Sequence, residues 1–318
     1  MVDVWVSDAQ GPPGRRVLDV LATVPSVRFV DLADCEVAVH LGAADPDARA
    51  RHRESVTAGA TAVLAAAERA SALVLVSSAM VYGAWANNPV PLTEDALLRP
   101  DVDFAYARQL AAVEELADQW RQAVPGRRVA VLRPVVAMAA DGTTGLASAL
   151  AAGMGQRFGE EDPPAQFLHL DDLAAAVALC VERGLDGVYN VAPDGNVPGT
   201  SVRALSGATP RLQLPDRMAE VLNSVRWRFQ RGPIPPGLGS YTRWPWLVAN
   251  DRLKAEGWRP TVTNEQAYVE GTEAKWWTMI TPKRRQELAL GGMVVGAVAL
   301  LSATLRVIRS VRARRGRR

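Results

Sequence analysis

Ser78 and Tyr106 are the two side chains of this sequence whose type and setting suit proton transfer. Ser78 ends the run LVLVSS at 73–78, and Tyr106 lies in the stretch DFAYARQL at 103–110. A buried strand ending in a hydroxyl, with a helix-borne tyrosine beside it, is a place to move a proton at a carbonyl or an alcohol. A second group, Asp8, Gly11 and Gly14, lies in a turn between an apolar strand and a helix. Glycines there let the backbone approach a phosphate and let the helix N-terminus face its charge. Gly-Pro-Pro-Gly is also an ordinary turn, and Pro12 and Pro13 have no N–H to donate.

The elements that must hold these residues follow from periodicity. Residues 2–6 alternate as a strand, 8–14 form a turn and 15–23 a helix. Further strands are expected at 27–32, 37–41, 73–76 and 128–133, with an Ala-rich helix at 48–70 and another at 104–124. Strand, helix and strand in series argue for parallel units with right-handed crossovers. Beyond Pro134, residues 166–173 enter a helix running to about 182, with Asp171 or Asp172 as its N-cap. A short strand is expected at 187–191, an amphipathic helix at 216–230 and a short helix at 250–257 stopped by Gly257.

Several of these stretches resemble the extended short-chain dehydrogenase/reductases, the NAD-dependent epimerase/dehydratase family. The resemblance rests on Ser78, Val81-Tyr82-Gly83, Pro91, Glu94, Pro100 and Tyr106, on VHLGA at 39–43, and on the stretches 166–173, 187–191 and 250–260. It implies an α/β fold: a doubly wound, Rossmann-like parallel sheet over 1–192 that binds NAD or NADP, with a small substrate domain over 193–275. It implies Asp8, Gly11 and Gly14 at the dinucleotide turn and Asp31 on the ribose hydroxyls. Ser78 and Tyr106 become two members of a proton relay. The implied chemistry is epimerisation, dehydration or reduction of a nucleotide-sugar or a lipid-like alcohol or ketone. Members usually dimerise through the helices that correspond to 48–70 and 104–124, so a homodimer is implied.

The sequence departs from that pattern at four places. Asp8 stands where the family has its first glycine, and Leu110 where it has the relay lysine. No Asn occurs between Ala43 and Ala86, where the family keeps one, and only 33–36 separate strands that the family joins through a further helix and strand. Leu110 can neither hold a ribose nor favour a phenolate, and a phenol without a nearby cation keeps its proton to about pH 10. Two other classes therefore stand beside the enzyme: a non-catalytic membrane-tethered scaffold, and a sensor that binds nucleotide without chemistry. His40 reads as packed or hydrogen-bonded structure, not as a catalytic residue. Arg133-Pro134 and Tyr189-Asn190 read as holding the sheet and its crossover.

At 318 residues and 48% apolar, the chain can bury a sizeable core. Three histidines (His40, His52, His169) argue against a His-rich metal centre, and no metal ligand set is expected. Cys35 and Cys180 sit in apolar segments, as reduced buried thiols do. The net charge of +2 hides an asymmetry. From Lys283 onward there are ten Lys and Arg against one acid, which leaves the preceding residues at −7 and unsuited to nucleic acid. Within that tail, 288–305 is eighteen residues without a charge, the minimum for a membrane span. Trp276 and Trp277 suit one membrane interface, and the seven arginines from Arg306 suit another or an anionic lipid surface. The N-terminus has no signal-peptide pattern. The expectation is a cytoplasmic domain attached to the cell membrane by a C-terminal helix within 276–318.

Overall fold

The computed structural model describes residues 1–42, 55–154, 162–205 and 237–272, all within one compact unit, Met1–Glu273. Eight strands are formed there: β1 (Val2–Val6), β2 (Val27–Phe29), β3 (Val37–His40), β4 (Ala72–Val76), β5 (Arg128–Pro134), β6 (Val136–Met138), β7 (Phe167–His169) and β8 (Gly187–Val191). The helices are α1 (Pro12–Ala22), α2 (Ser55–Ala66), α3 (Ala105–Ala123), α4 (Gly145–Gly153), α5 (Leu170–Arg183), α6 (Gly199–Leu205), α7 (Gly239–Arg243), α8 (Asp251–Ala255) and α9 (Asn264–Gly271).

Six strands form one sheet in the order β2-β1-β3-β4-β5-β8, every pairing parallel. A side chain every second residue leaves one face for the next, so each central strand feeds two cores. Val37, Val39, Val74, Val76, Ala130 and Leu132 join Val17 and Leu21 of α1 and Leu173 and Val177 of α5. The alternate residues, Ala38, Leu73, Leu75, Val129 and Val131, join Ala60 of α2 and Leu110, Val113 and Ala117 of α3. The sheet is therefore a doubly wound, Rossmann-like layer between two helical layers. Its C-terminal edge, where ligands sit in such folds, carries the loops discussed below.

The short connection after β2 has a clear structural result. Only a single 3-10 turn, Leu32–Asp34, lies between β2 and β3, and β3 pairs on the far side of β1. Among the described residues β2 is thus the edge of the sheet, and the further helix and strand of the resembling family are missing there.

Element bounds shift for local reasons. The first helix begins at Pro12, earlier than residue 15, because proline is tolerated in the first helical turn where its N–H would lack a partner anyway. The strand expected at 27–32 stops at Phe29 and gives way to the 3-10 turn. The cap of α5 is His169, whose Nδ1 accepts the Asp171 N–H at 3.2 Å, and neither Asp171 nor Asp172 takes that place. β6 and β7 pair as a small parallel sheet, and α9 packs on it through Phe167 and Tyr268, ring centroids 4.7 Å apart. The helix expected at 216–230 and the apolar run at 288–305 lie outside the described residues, as does the 48–54 part of the helix expected at 48–70, of which α2 is the described part. Among the described residues no helix is long and apolar enough to cross a membrane.

Candidate active site

β4 delivers both serines. The Ser77 N–H continues the ladder to the Leu132 carbonyl at 2.8 Å, so the sheet holds the backbone up to that residue. Ser78 then caps a 3-10 turn, Ala79–Tyr82, its Oγ accepting the Met80 N–H at 3.2 Å. With one lone pair used on the cap, the Ser78 hydroxyl proton is free to point at a ligand. Tyr106 is the second residue of α3, half-buried and edge-on to Phe104 with centroids 5.9 Å apart. Ser77, Ser78 and Tyr106 line one cavity of about 100 Å³. Its other walls come from Val17 of α1, the Pro134–Ala137 stretch, Thr144 and Leu173 of α5. The lining carries hydroxyls and apolar groups, and none of the described residues on it is charged.

Leu110, one turn along α3, is 1% exposed and packs in the core layer with Ala38, Leu75 and Val113. The position that calls for a lysine is thus an apolar contact between α3 and the sheet. Arg108 is exposed and does not line the cavity.

The turn after β1 brings Asp8, Gly11 and Gly14 together. Asp8 has φ 51°, the left-handed conformation that glycine adopts most easily and Asp tolerates better than most residues. Its carbonyl accepts the Gly11 N–H at 3.0 Å, and a β-carbon on Gly14 would collide with that same carbonyl. A β-carbon on Gly11 would meet the Asp8 carboxylate. The replaced glycine therefore leaves the turn intact but brings a carboxylate to it. Pro12 and Pro13 fill the first two helical positions, so those places offer no N–H. Arg16 ties α1 to the loops beside it, pairing with Asp141 at 2.5 Å and with Asp171. These partners hold the Arg16 charge above its usual range against the opposing pull of burial, and Arg16 holds Asp141 below the usual carboxylate range. Asp31 follows β2, which pairs with β1 up to Val4–Phe29, and stands at the N-cap of the 3-10 turn Leu32–Asp34. Asp31 is exposed there, and among the described residues no hydrogen-bond partner meets its side chain.

Behind the serines runs a buried polar chain that no single stretch of sequence reveals. The Ser77 hydroxyl donates to Glu114 Oε1 at 2.5 Å. Arg133 reaches the same carboxylate through Nη2 at 2.6 Å and through Nε at 3.2 Å to each oxygen. Arg133 Nη1 donates to the Tyr82 hydroxyl at 2.8 Å, which donates in turn to Asn190 Oδ1 at 2.8 Å. Burial works against the Arg133 charge, yet its bonds to Glu114 raise its pKa above the ordinary arginine value. Burial also pushes the Tyr82 phenol up, against the opposing pull of Arg133. Arg133 and Asn190 do hold the sheet, as their positions implied, but they do so as parts of this chain. Two signals pointed to it: a lone arginine inside the apolar strand VAVLRP, and a glutamate eight residues after Tyr106 on the buried face of α3.

Two further buried groups lie off the cavity. Asp172 accepts the Thr261 N–H at 2.9 Å, the Thr261 hydroxyl at 2.6 Å and the Val262 N–H at 3.1 Å, which pins the stretch between α8 and α9 to α5. His40, at the end of β3, finds no hydrogen-bond partner for either ring nitrogen among the described residues, and burial pushes its pKa down to about 4.

Comparison with known proteins follows the same lines. The profile described as the NAD dependent epimerase/dehydratase family matches residues 9–192. The chain is 23% identical over 260 residues to an uncharacterised protein of Mycobacterium tuberculosis, covering 79% of this chain and 69% of that one. The human epimerase family protein SDR39U1 (isoform 2), solved with NADPH, is 18% identical, with a TM-score of 0.61 over 86% of this chain and 100% of that one. The UDP-glucose 4-epimerase of Thermus thermophilus, in complex with NAD, is 20% identical, with a TM-score of 0.59 over 85% and 97%. At these identities the solved structures speak for the fold.

Proposed function

The chain belongs to the NAD-dependent epimerase/dehydratase family, and from that premise we propose that it is an NAD(P)-dependent epimerase, dehydratase or reductase acting on an alcohol or ketone carbon. The observation that carries this reading is the single cavity lined by Ser78 and Tyr106 at the sheet edge. Ser78 would orient the substrate oxygen, and Tyr106 would stand beside the proton being moved. The apolar wall favours a lipid-like alcohol or ketone over a nucleotide-sugar, since no described side chain on it is charged to meet a phosphate.

The residues fit a nicotinamide dinucleotide. Gly14 keeps the helix close to the turn, as shown by the clash that a β-carbon would make, and the hydroxyl-lined cavity suits a carboxamide-bearing ring. Asp8, Gly11 and Gly14 would face the diphosphate, and Asp31 the ribose hydroxyls. The dinucleotide supplies hydride transfer when bound. The Asp8 carboxylate and the two missing N–H groups weaken the phosphate end, so affinity should be modest. The same proposal takes 193–275 as the substrate domain, a homodimer through α2 and α3, and a cytoplasmic domain anchored to the membrane by 288–305 with its arginines on the lipid surface.

A second reading is favoured by one observation, the burial of Leu110 where the relay needs a cation. In it the chain binds dinucleotide and turns nothing over, as a sensor or a membrane-tethered scaffold. Calorimetric titration of the full chain with NAD(H) and NADP(H) tests both. Binding in the micromolar range, with turnover of an alcohol or ketone, supports the enzyme. Binding alone supports the sensor, and no binding up to millimolar removes dinucleotide use altogether.

A further inference from the structure

We propose that this chain grips a nicotinamide cofactor by its ring end alone, because the Asp8 carboxylate closes the diphosphate end. Dihydronicotinamide riboside, which has neither diphosphate nor adenosine, then binds nearly as well as NADH. The proposal rests on the reading of the chain as NAD(P)-dependent and concerns which of its residues supply the affinity. Three observations carry it, one for each part of the ligand.

At the diphosphate, a β-carbon on Gly11 would run into Asp8 Oδ2. The carboxylate therefore lies against Gly11, over the backbone that a phosphate would have to approach. Pro12 and Pro13 leave the first two positions of α1 without an N–H. Arg16 gives its charge to Asp141 and Asp171. The other cation of this turn, Arg15, is exposed, where water and salt screen it. The turn and its ion pairs thus set Asp8, Asp141 and Asp171 against Arg15 and Arg16. A diphosphate would give up its hydration here for few donors and a net negative surrounding.

At the adenosine, Asp31 is exposed at the N-cap of the 3-10 turn. A ribose bond to an exposed carboxylate replaces a bond to water and adds little. Only residues 30–36 join β2 to β3, and among the described residues β2 is the sheet edge, so the sheet flanks an adenosine at Asp31 on one side only. The ring end differs. The cavity of about 100 Å³ brings the hydroxyls of Ser77, Ser78 and Thr144 together with apolar Val17, Leu41 and Leu173. Hydroxyls pair with a carboxamide, and apolar walls cover the faces of a ring. None of the described lining side chains is charged, which suits the uncharged reduced ring better than the cationic oxidised one.

The test is binding, followed in the full chain by titration heat and by the fluorescence of the reduced nicotinamide. The probes are NADH, dihydronicotinamide riboside and ADP-ribose. NADH should bind no more than about tenfold more tightly than the riboside, since the added groups gain little over water. Saturating riboside should abolish the NADH signal, and ADP-ribose should give no heat up to millimolar. Asp8→Gly keeps a residue suited to φ 51° and removes the carboxylate, so it should widen the gap between NADH and the riboside by about tenfold. A wider gap than tenfold in the unaltered chain overturns the proposal. So does ADP-ribose binding below millimolar, a riboside that fails to compete, or a gap unchanged in Asp8→Gly. Tight NADH with a weak riboside sinks this proposal and leaves the function reading standing. No binding of either nicotinamide up to millimolar removes the function reading itself, and the proposal with it.

Discussion

His40 offers the sharpest measurement, because its burial has a size and a sign. In an unfolded chain its imidazole titrates near 6.5, and in the fold burial pushes it down to about 4. Between those values the unfolded chain takes a proton that the folded chain refuses. The stability tied to His40 is therefore whole above pH 6.5, is lost progressively as pH falls toward 4, and changes no further below that. Two and a half units at 1.36 kcal/mol each set a ceiling of about 3 kcal/mol. Between pH 7 and pH 5 the linkage relation gives a loss of about 2 kcal/mol, roughly a twentyfold change in the unfolding constant.

The perturbation is His40→Leu, a side chain of similar volume with no nitrogen to leave unpartnered. Urea unfolding of both chains at pH 7 and pH 5, followed by tryptophan emission, isolates the effect. All carboxylates contribute equally to both chains and cancel. The variant should gain about 2 kcal/mol on the parent as pH drops from 7 to 5. At pH 7 it should be at least as stable, since two buried nitrogens with no partner among the described residues are removed. If the gap between the two chains is the same at both pH values, His40 is not held neutral by burial, and the reasoning fails.

Three more outcomes are expected. Arg133→Met should cost about 3–5 kcal/mol in urea unfolding, because it strands the buried Glu114 carboxylate, and adding Glu114→Gln should recover more than half of that. Asp172→Ala removes three accepted hydrogen bonds; it should cost about 2 kcal/mol and speed amide exchange at Thr261 and Val262 before the rest of the sheet opens. Asp8→Gly relieves a left-handed side chain and should add about 1 kcal/mol of stability. The same change should tighten dinucleotide binding about tenfold by removing a charge worth about 1.4 kcal/mol near the phosphates, which calorimetry reads directly.

Much of the fold was legible because it depends on local pattern. The runs VAVH and ALVLV are buried on both faces, as strands under two helical layers must be, VDVWV alternates, and these three and RVAVLRP each appear within a residue or two of the expected place. The four residues 33–36 between the strands expected at 27–32 and 37–41 announced the missing unit, and the seven residues 30–36 that separate β2 from β3 still hold no helix and returning strand. The α5 cap was not legible. Asp171 and Asp172 are the preferred N-cap types and His169 is not, and only the distant Thr261–Val262 and Arg16 engage the two acids elsewhere. The candidate site divides the same way. Ser78 and Tyr106 declared themselves by neighbours in sequence. Ser77, Glu114 and Arg133 meet across separations of 37 and 19 residues, and no local pattern encodes that meeting.

The departures from the family pattern fall in two places. Asp8 and the short β2–β3 connection lie where a dinucleotide would be gripped, whereas Leu110 and the missing Asn bear on the proton relay. The wall of Ser77, Ser78 and Tyr106 keeps its hydroxyls and its backing. That backing is not a cheap structure. A buried arginine–carboxylate pair recovers little more than the hydration it gives up, and apolar side chains of equal volume would serve stability as well or better. What the pair does provide is position: both Glu114 oxygens are held by Arg133, and one of them holds the Ser77 proton. A fold that had kept only its shape would have no need to hold that proton at the wall of a cavity. The arrangement is accounted for if the hydroxyl it orients meets a ligand.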